Sequence, residues 1–518
     1  MTDALTHAKV GMPTSRRRPL ALASLCTVLF LTFLDNTVVS VALASIQSDL
    51  HGGVSALQWV VGAYALTFAS FMLVFGMLGD TFGRTKVMLA GVGVYCAGAA
   101  LAAVAPGIGI LIAARSVMGL GAAASEPGTL SMIRQIYPDE RSRNRALGVW
   151  AAVSGVSLAL GPVLGGALVG AWSWRGIFWF DVTFGLAALA VAARVLPESA
   201  DRRAGRVDVP GTVLGAGALA ALIFGIINGE SAGYSAPSVL ALLAVSLVAG
   251  VAFVLWERRA PFPLLDLRYL RVARFTTPNV VAYCAYFATF AIFFFTALYL
   301  GVIAGYSAYR IAGLFLPMTV LMIIAALLAG RWTTAAGIRW LLVAGCLLYA
   351  AGLLLTNVVI NPNPAYLPLA AALGLAGVGI GTCVVPVTSS VLAAVPAERS
   401  GMAASATNTS RELGAVTGIA ILGAVVNAEL RSGVVSRMTH LGASAALQQY
   451  VLQVIETGSV SLPHGGSSTG NGPLDQIIQA GYAAFTSALH GALYLSAALL
   501  AAAALLAAVT LRQRRHAP

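Results

Sequence analysis

The chain has 518 residues, 58% of them hydrophobic and 10% charged, with a net charge of +12 and a mean hydropathy of +0.86. A soluble protein of this size carries about a quarter charged residues, so the composition excludes a soluble globular fold and indicates a polytopic membrane protein. The basic residues lie between apolar runs, which makes the positive charge a topology signal rather than a nucleic-acid patch.

Residues 1–18 form a polar tail ending in Arg16-Arg17-Arg18, with no small-residue cleavage site at signal-peptide distance beyond it, so the next run reads as a retained span. Windows long enough to cross a bilayer follow at 19–43, 56–79, 87–105, 108–131, 145–170, 176–196, 209–228 and 237–256. Beyond a charged connector come 276–302, 311–330, 339–359, 366–395, 402–428 and 482–510, making about fourteen spans. If the N-terminus is cytoplasmic, 25 of the 31 Lys and Arg residues fall on the inner side, four outside and two within spans, which predicts both termini in the cytoplasm.

Two echoes predict an internal repeat. Pro138-Asp139-Glu140-Arg141-Ser142 follows the fourth span, and Pro396-Ala397-Glu398-Arg399-Ser400 follows the twelfth. Gly76 through Gly83-Arg84 after the second span is matched by Gly330 through Gly337-Ile338-Arg339 after the tenth. The expected fold is therefore an all-α polytopic membrane protein of two six-helix halves in parallel repeat, with a substrate site at their interface. The division is a cytoplasmic tail 1–18, an N-terminal half 19–196, two inserted helices with connectors 197–275, a C-terminal half 276–510 and a cytoplasmic tail 511–518. A long external loop is expected at 429–480, rich in Ser, Gly and Gln, with a short helix around Ala445–Ile455.

The ionisable residues inside spans carry the functional signal. Asp35 lies roughly 22–24 Å along its helix from Pro19, past the midplane, where an unpaired carboxylate costs a few kcal/mol or more. It is either a polar residue facing other helices or a proton or cation site, and the second reading is the default for such a group. Arg115 lies in the outer half of span four. Glu126, eleven residues on, returns about 20° off the same face and nearer the cytoplasm. Asp35 and Arg115 are expected to approach each other, with Glu126 either a second carboxylate toward the inner vestibule or a residue reaching water or Arg134. Arg411 and Glu412 are neighbours in span thirteen and cannot face each other, so each needs its own partner; a tie between the halves is the expected role. Asp181 is placed as an outer-face contact near Arg175, and the Tyr and Phe residues of span nine as lipid-facing or packing groups, some lining an apolar cavity.

Cys26, Cys96, Cys284, Cys346 and Cys383 all sit in apolar runs and read as core residues, and the six histidines have no metal-ligand spacing. Lys9 and Lys86 do not follow a phosphate-loop Gly, which excludes ATP hydrolysis by a P-loop. No cofactor, metal or enzymatic constellation is expected.

Four motifs add a family resemblance. Gly76-Met77-Leu78-Gly79-Asp80-Thr81-Phe82-Gly83-Arg84-Thr85-Lys86 resembles the signature loop of the major facilitator superfamily, with Thr81 where a basic residue is common. Leu111 through Ala123 is similar to that family's fourth-span motif, whose Arg, here Arg115, is linked to proton transfer. Gly161-Pro162-Val163-Leu164-Gly165-Gly166 is similar to the antiporter motif of the family's exporters, and Leu34 through Leu43 to the first-span motif of its fourteen-span drug:proton antiporters. The resemblance implies a proton-coupled exporter of lipophilic, often cationic drugs in a bacterial plasma membrane. Alternatives are export of an endogenous lipid, siderophore or metabolite, or proton-linked uptake. Taken with the reading of the buried charges above, which alone brings in Glu126, the expectation is proton coupling at Asp35, Arg115 and Glu126 and a substrate cavity at Asp35, Asn36, Glu126, Tyr283 and Phe287. The same reading assigns a latch and hinge to Gly76, Asp80, Gly83, Arg84, Gly161, Pro162, Gly165 and Gly166, and an inter-half tie to Arg411 and Glu412. The expected partners are a small-molecule substrate, protons and the lipid bilayer, with no nucleic acid and a monomeric state.

Overall fold

A computed structural model describes residues 18–198, 208–261, 263, 266–361, 364–396, 400–440 and 473–511. Among these residues fourteen helices are long and apolar enough to cross a membrane. Where no water reaches the backbone, its polar groups must be satisfied within the helix, which is why each long apolar run forms one.

The N-terminal half contains α1 (Arg18–Leu50, with a 3₁₀ turn at Val39–Ala42), α2 (Val54–Phe82), α3 (Arg84–Ala103), α4 (Ile108–Ile136), α5 (Glu140–Ala171) and α6 (Arg175–Val195). Two further helices follow, α7 (Val209–Ala232) and α8 (Pro237–Glu257). The C-terminal half contains α9 (Ala273–Val302), α10 (Ala308–Thr333), α11 (Ala336–Val359), α12 (Tyr366–Ala393), α13 (Ser400–His440) and α14 (Pro473–Thr510). On the orientation that the Lys and Arg bias predicts, Gly83 lies on the inner side and His51 on the outer.

Most helices outrun their apolar windows by a few residues, and two of them start at a capping carboxylate. The Asp139 carboxylate accepts from the Ser142 N–H at 2.9 Å and starts α5, and Asp208 accepts from Gly211 N–H at 3.0 Å at the start of α7. The largest departure is the external segment. Residues 429–440 continue α13 and 473–480 begin α14, so both ends of the expected loop 429–480 are helical. Residues 441–472, including the short helix expected around Ala445–Ile455, lie outside the described residues.

The repeat has a backbone signature. Gly83 (φ 112°) separates α2 from α3, and 254 positions later Gly337 (φ 80°) breaks the helical backbone at the start of α11, where it follows α10. At Gly83 the conformation is one that L side chains rarely adopt, and an added Cβ would lie 2.5 Å from a Glu198 carboxylate oxygen. Thr85 donates at 2.6 Å to the Pro197 carbonyl, so the end of α6 is fastened over this turn.

Two seams join the halves, α5 against α10 and α2 against α13, with α7 packed on α2 and α13. Of α8 only Val239 and Glu257 are buried, so nearly all of it faces outward to lipid. At the α5 seam Gly161 lies against Thr37, Gly165 against the Val38 carbonyl and Gly166 against Ala312 and the Ala308 carbonyl, each too close for a methyl group. Pro162 has no N–H for the Leu158 carbonyl four residues back. The Thr37 hydroxyl of α1 supplies the missing donor at 2.8 Å, and the Thr319 hydroxyl of α10 donates to the next carbonyl, Ala159, at 2.5 Å.

Of the two readings of the span-nine aromatics, packing is the one the structure supports. Tyr286, Phe287, Phe290, Phe293, Phe294 and Phe295 are buried inside the protein rather than facing lipid. Helix α9 packs against α12, α13 and α14, and a helix apolar on every face is what a central position requires.

Gly83→Ala should lower thermal stability in detergent, the left-handed backbone alone costing about 1–2 kcal/mol. Gly93→Ala is the control: an added Cβ meets nothing within 4 Å in α3, so the gain in helix propensity should leave the melting temperature unchanged or slightly raised.

Candidate functional site

Asp35 and Arg115 are both fully buried. One Arg115 amino group, Nη1, donates to both Asp35 oxygens at 2.7 and 2.5 Å, and Nε donates to the Val60 carbonyl of α2 at 3.0 Å. The guanidinium lies 4.5 Å over the Tyr64 ring, whose hydroxyl donates to the Thr32 carbonyl at 3.0 Å. Four groups from α1, α2 and α4 thus offset the desolvation of one ion pair by charge, hydrogen bonds and a cation–π contact.

Asp181 is not the outer-face contact that the sequence suggested. Arg175 pairs with Asp49 of α1 at 2.5 Å and donates to the Ala105 carbonyl at 3.1 Å. Six residues on, Asp181 is rotated about 120° away from Arg175 and is fully buried, with both oxygens lacking a hydrogen-bond partner. It lies within electrostatic reach of Asp35 and Arg115.

A second polar cluster spans the halves. One Glu126 oxygen, Oε1, accepts from Asn408 of α13 at 2.6 Å. The Asn408 side-chain oxygen accepts from Arg411 at 3.3 Å, and Arg411 also donates to Thr388 of α12 at 2.8 Å. Glu412 accepts from Asn36 of α1 at 3.4 Å. Glu126 therefore does not reach back toward the inner end of its own helix; it meets the opposite half. Within this cluster the direct ties across the interface are Asn408 to Glu126 and Asn36 to Glu412, while among the described residues Arg411 bonds only within the C-terminal half. Glu126 and Glu412 each keep one oxygen, Oε2, with no hydrogen-bond partner.

The remaining positions divide. Tyr283 is half-buried, its hydroxyl 2.9 Å from that of Thr417, and Phe287 packs its backbone against Gly418. At the latch Gly83 makes the turn, but Gly76 faces Pro127 at an ordinary 3.4 Å, so no close approach demands glycine there. Asp80 lies near the end of α2, and its side chain is outside the described residues. The sequence reasoning missed Tyr64, Tyr95, Asp181, Asn408 and Thr388. Asn408 was discoverable, standing one helical turn before Glu412 on the same face; Asp181 was visible but assigned to the wrong neighbour.

Among the described residues no group of three His, Cys, Asp or Glu could hold a metal ion. Two helical halves meeting at two seams, with buried acids between them, are an architecture found among membrane transporters. Residues 25–419 match the Major Facilitator Superfamily, and the chain belongs to that family. It is 32% identical to the multidrug resistance protein Stp of Mycobacterium tuberculosis over 80% of this chain and 77% of the relative. It is 34% identical to a methylenomycin A resistance protein of Streptomyces coelicolor over 78% and 85%. A bacterial homolog of the human lysosomal transporter Spinster, in an inward-facing and unoccupied conformation, shares the fold with a TM-score of 0.62 at 16% identity, covering 96% of this chain and 98% of that one. The chain is thus a multi-pass membrane transporter homologous to bacterial drug-efflux proteins.

Arg115→Ala should strand the Asp35 carboxylate and cost about 3–5 kcal/mol. The double variant Arg115→Ala/Asp35→Asn should recover more than half of that loss, as read from thermal melts in detergent.

Proposed function

We propose that the protein is a proton-coupled antiporter exporting lipophilic, often cationic, drugs across a bacterial inner membrane by alternating access, working as a monomer. The observation that carries this reading is the fully buried pair of Asp35 and Arg115. A proton taken by Asp35 cancels the anion that holds Arg115 against α1, so the relation of α1 to α2 and α4 depends on protonation. An apolar core cannot hold the released guanidinium without a new partner, which couples the proton to a change of conformation.

Glu126 and Glu412 suit the substrate role. Both are buried at the interface of the halves and each has an unbonded oxygen, with Tyr286 of α9 within electrostatic reach of both. Carboxylates offset the charge of a lipophilic cation and aromatic walls accept its body. Drug and proton then favour different states, as coupling requires; equal affinity for both would shift nothing. The outer ends are closed by α1 on α9, where an added Cβ at Gly301 would lie 2.6 Å from Ala44, and by Gln58 of α2 against Gly423 of α13.

Ethidium efflux from energised cells, with and without a proton uncoupler, tests the proposal. Wild type should export in an uncoupler-sensitive manner, Asp35→Asn should lose at least tenfold of that activity, and Glu126→Gln should raise the KM for ethidium several-fold. Unchanged proton-driven export in Asp35→Asn would remove Asp35 from the mechanism, and absence of efflux of any cation by wild type would sink the drug assignment.

A further inference from the structure

The core around Asp35 holds a second acid. At Gly185 of α6 an added Cβ would lie 2.6 Å from the Cys96 sulfur of α3 and 3.2 Å from Leu31 of α1, so the three helices meet at that level. Helix α1 runs outward and α6 runs inward. One turn toward the outer side from this contact therefore leads to Asp35 on α1, four residues after Leu31, and to Asp181 on α6, four residues before Gly185. Two carboxylates, each fully buried, thus share one level of a dry core.

Their surroundings are unequal. Asp35 receives both of its hydrogen bonds from Arg115 Nη1, whereas neither oxygen of Asp181 has a donor. Arg115 Nη2 has no acceptor, and the Tyr95 hydroxyl of α3, within reach of both carboxylates, is bonded to neither. The other titratable groups facing Asp181 are Cys96 on α3 and Arg115 on α4, while the ionisable residues of α5 sit at its inner start, far from this level. One guanidinium neutralises one carboxylate. A second carboxylate ionised in the same apolar space would leave a net negative charge whose desolvation is not offset, so one of the two acids holds a proton.

We propose that Asp35 and Asp181 form a carboxyl pair sharing Arg115 and a single proton, with Asp181 holding the proton while Asp35 holds the guanidinium. This rests on the proton-coupled reading above and names a second residue that carries the proton. The Tyr95 hydroxyl connects the two: it accepts the Asp181 proton as its own O–H proton passes to Asp35, so Tyr95 ends as it began and one proton has moved between the acids. The neutral Asp35 then releases Arg115, whose free Nη2 arm turns to the now anionic Asp181. Charge within the core is conserved throughout, so the exchange shifts the guanidinium from α1 to α6 without exposing an unpaired ion.

The test is proton release on drug binding. Purified wild type, Asp181→Asn and Asp181→Glu in detergent are mixed with ethidium in weakly buffered solution, and the protons released per bound ethidium are followed between pH 6 and 9. Wild type should release protons, Asp181→Asn should release at least threefold fewer with a flattened pH profile, and Asp181→Glu should retain at least half. The melting temperature of Asp181→Asn should stay near wild type, because an amide is close in shape to the neutral acid it replaces. Release by Asp181→Asn equal to wild type would overturn the shared-proton pair while leaving antiport intact. A lowered melting temperature with unchanged release per bound ethidium would make Asp181 structural only. If wild type itself binds ethidium and releases no proton, the antiport reading fails and this inference falls with it.

Discussion

An ion pair in an apolar medium is stable only while both charges keep their partners, and this constraint organises the N-terminal half. Separately, the Asp35 carboxylate and the Arg115 guanidinium would each cost several kcal/mol to keep in the core. Together, with the Val60 carbonyl and the Tyr64 ring, they form a neutral unit that holds α1, α2 and α4 in register. Any event that changes the charge of one member must be answered by movement or by another proton. That is the property a proton-driven machine needs, and a purely apolar core lacks it.

The seam between the halves meets a different demand, since it must be close-packed yet able to separate. Along α5 the glycines bring backbone against backbone on both sides, where a side chain would hold the helices apart. Pro162 removes a donor from the middle of the same helix, and the carbonyls around the gap are taken up by Thr37 from one half and Thr319 from the other. The gap at Pro162 is therefore bridged from both flanks by single hydroxyls. Hydroxyl bonds of this kind exchange partners at modest cost, about 0.6 kcal/mol on average for side-chain hydrogen bonds between membrane helices.

At the second seam the polar contacts are carboxylate to amide, Glu126 with Asn408 and Glu412 with Asn36. An amide satisfies a carboxylate without neutralising it, so each acid remains available to a positive ligand. The fixed cation nearby, Arg411, is occupied by Asn408 and Thr388 and makes no ion pair with either acid among the described contacts. The two polar centres are thus differently built: one neutralised and enclosed, the other hydrogen-bonded and placed where the halves part.

Much of this was legible from sequence because the bilayer imposes strong local rules. Length of apolar run and the cost of buried charge were enough to find the fourteen helices and the pairing of Asp35 with Arg115, and two echoed loop motifs pointed to the repeat. Those signals are properties of one helix or of one residue in a uniform solvent. What the chain order could not reveal was which faces meet: Asp181 turned away from Arg175, Glu126 crossed to Asn408, and the aromatics of α9 pointed into the protein instead of the lipid. A helix surrounded by other helices and a helix surrounded by lipid present the same apolar sequence, since both neighbours are equally oily. Only the tertiary packing, by setting the rotation of each helix about its axis, decided which acids share a pocket and which half each one answers to.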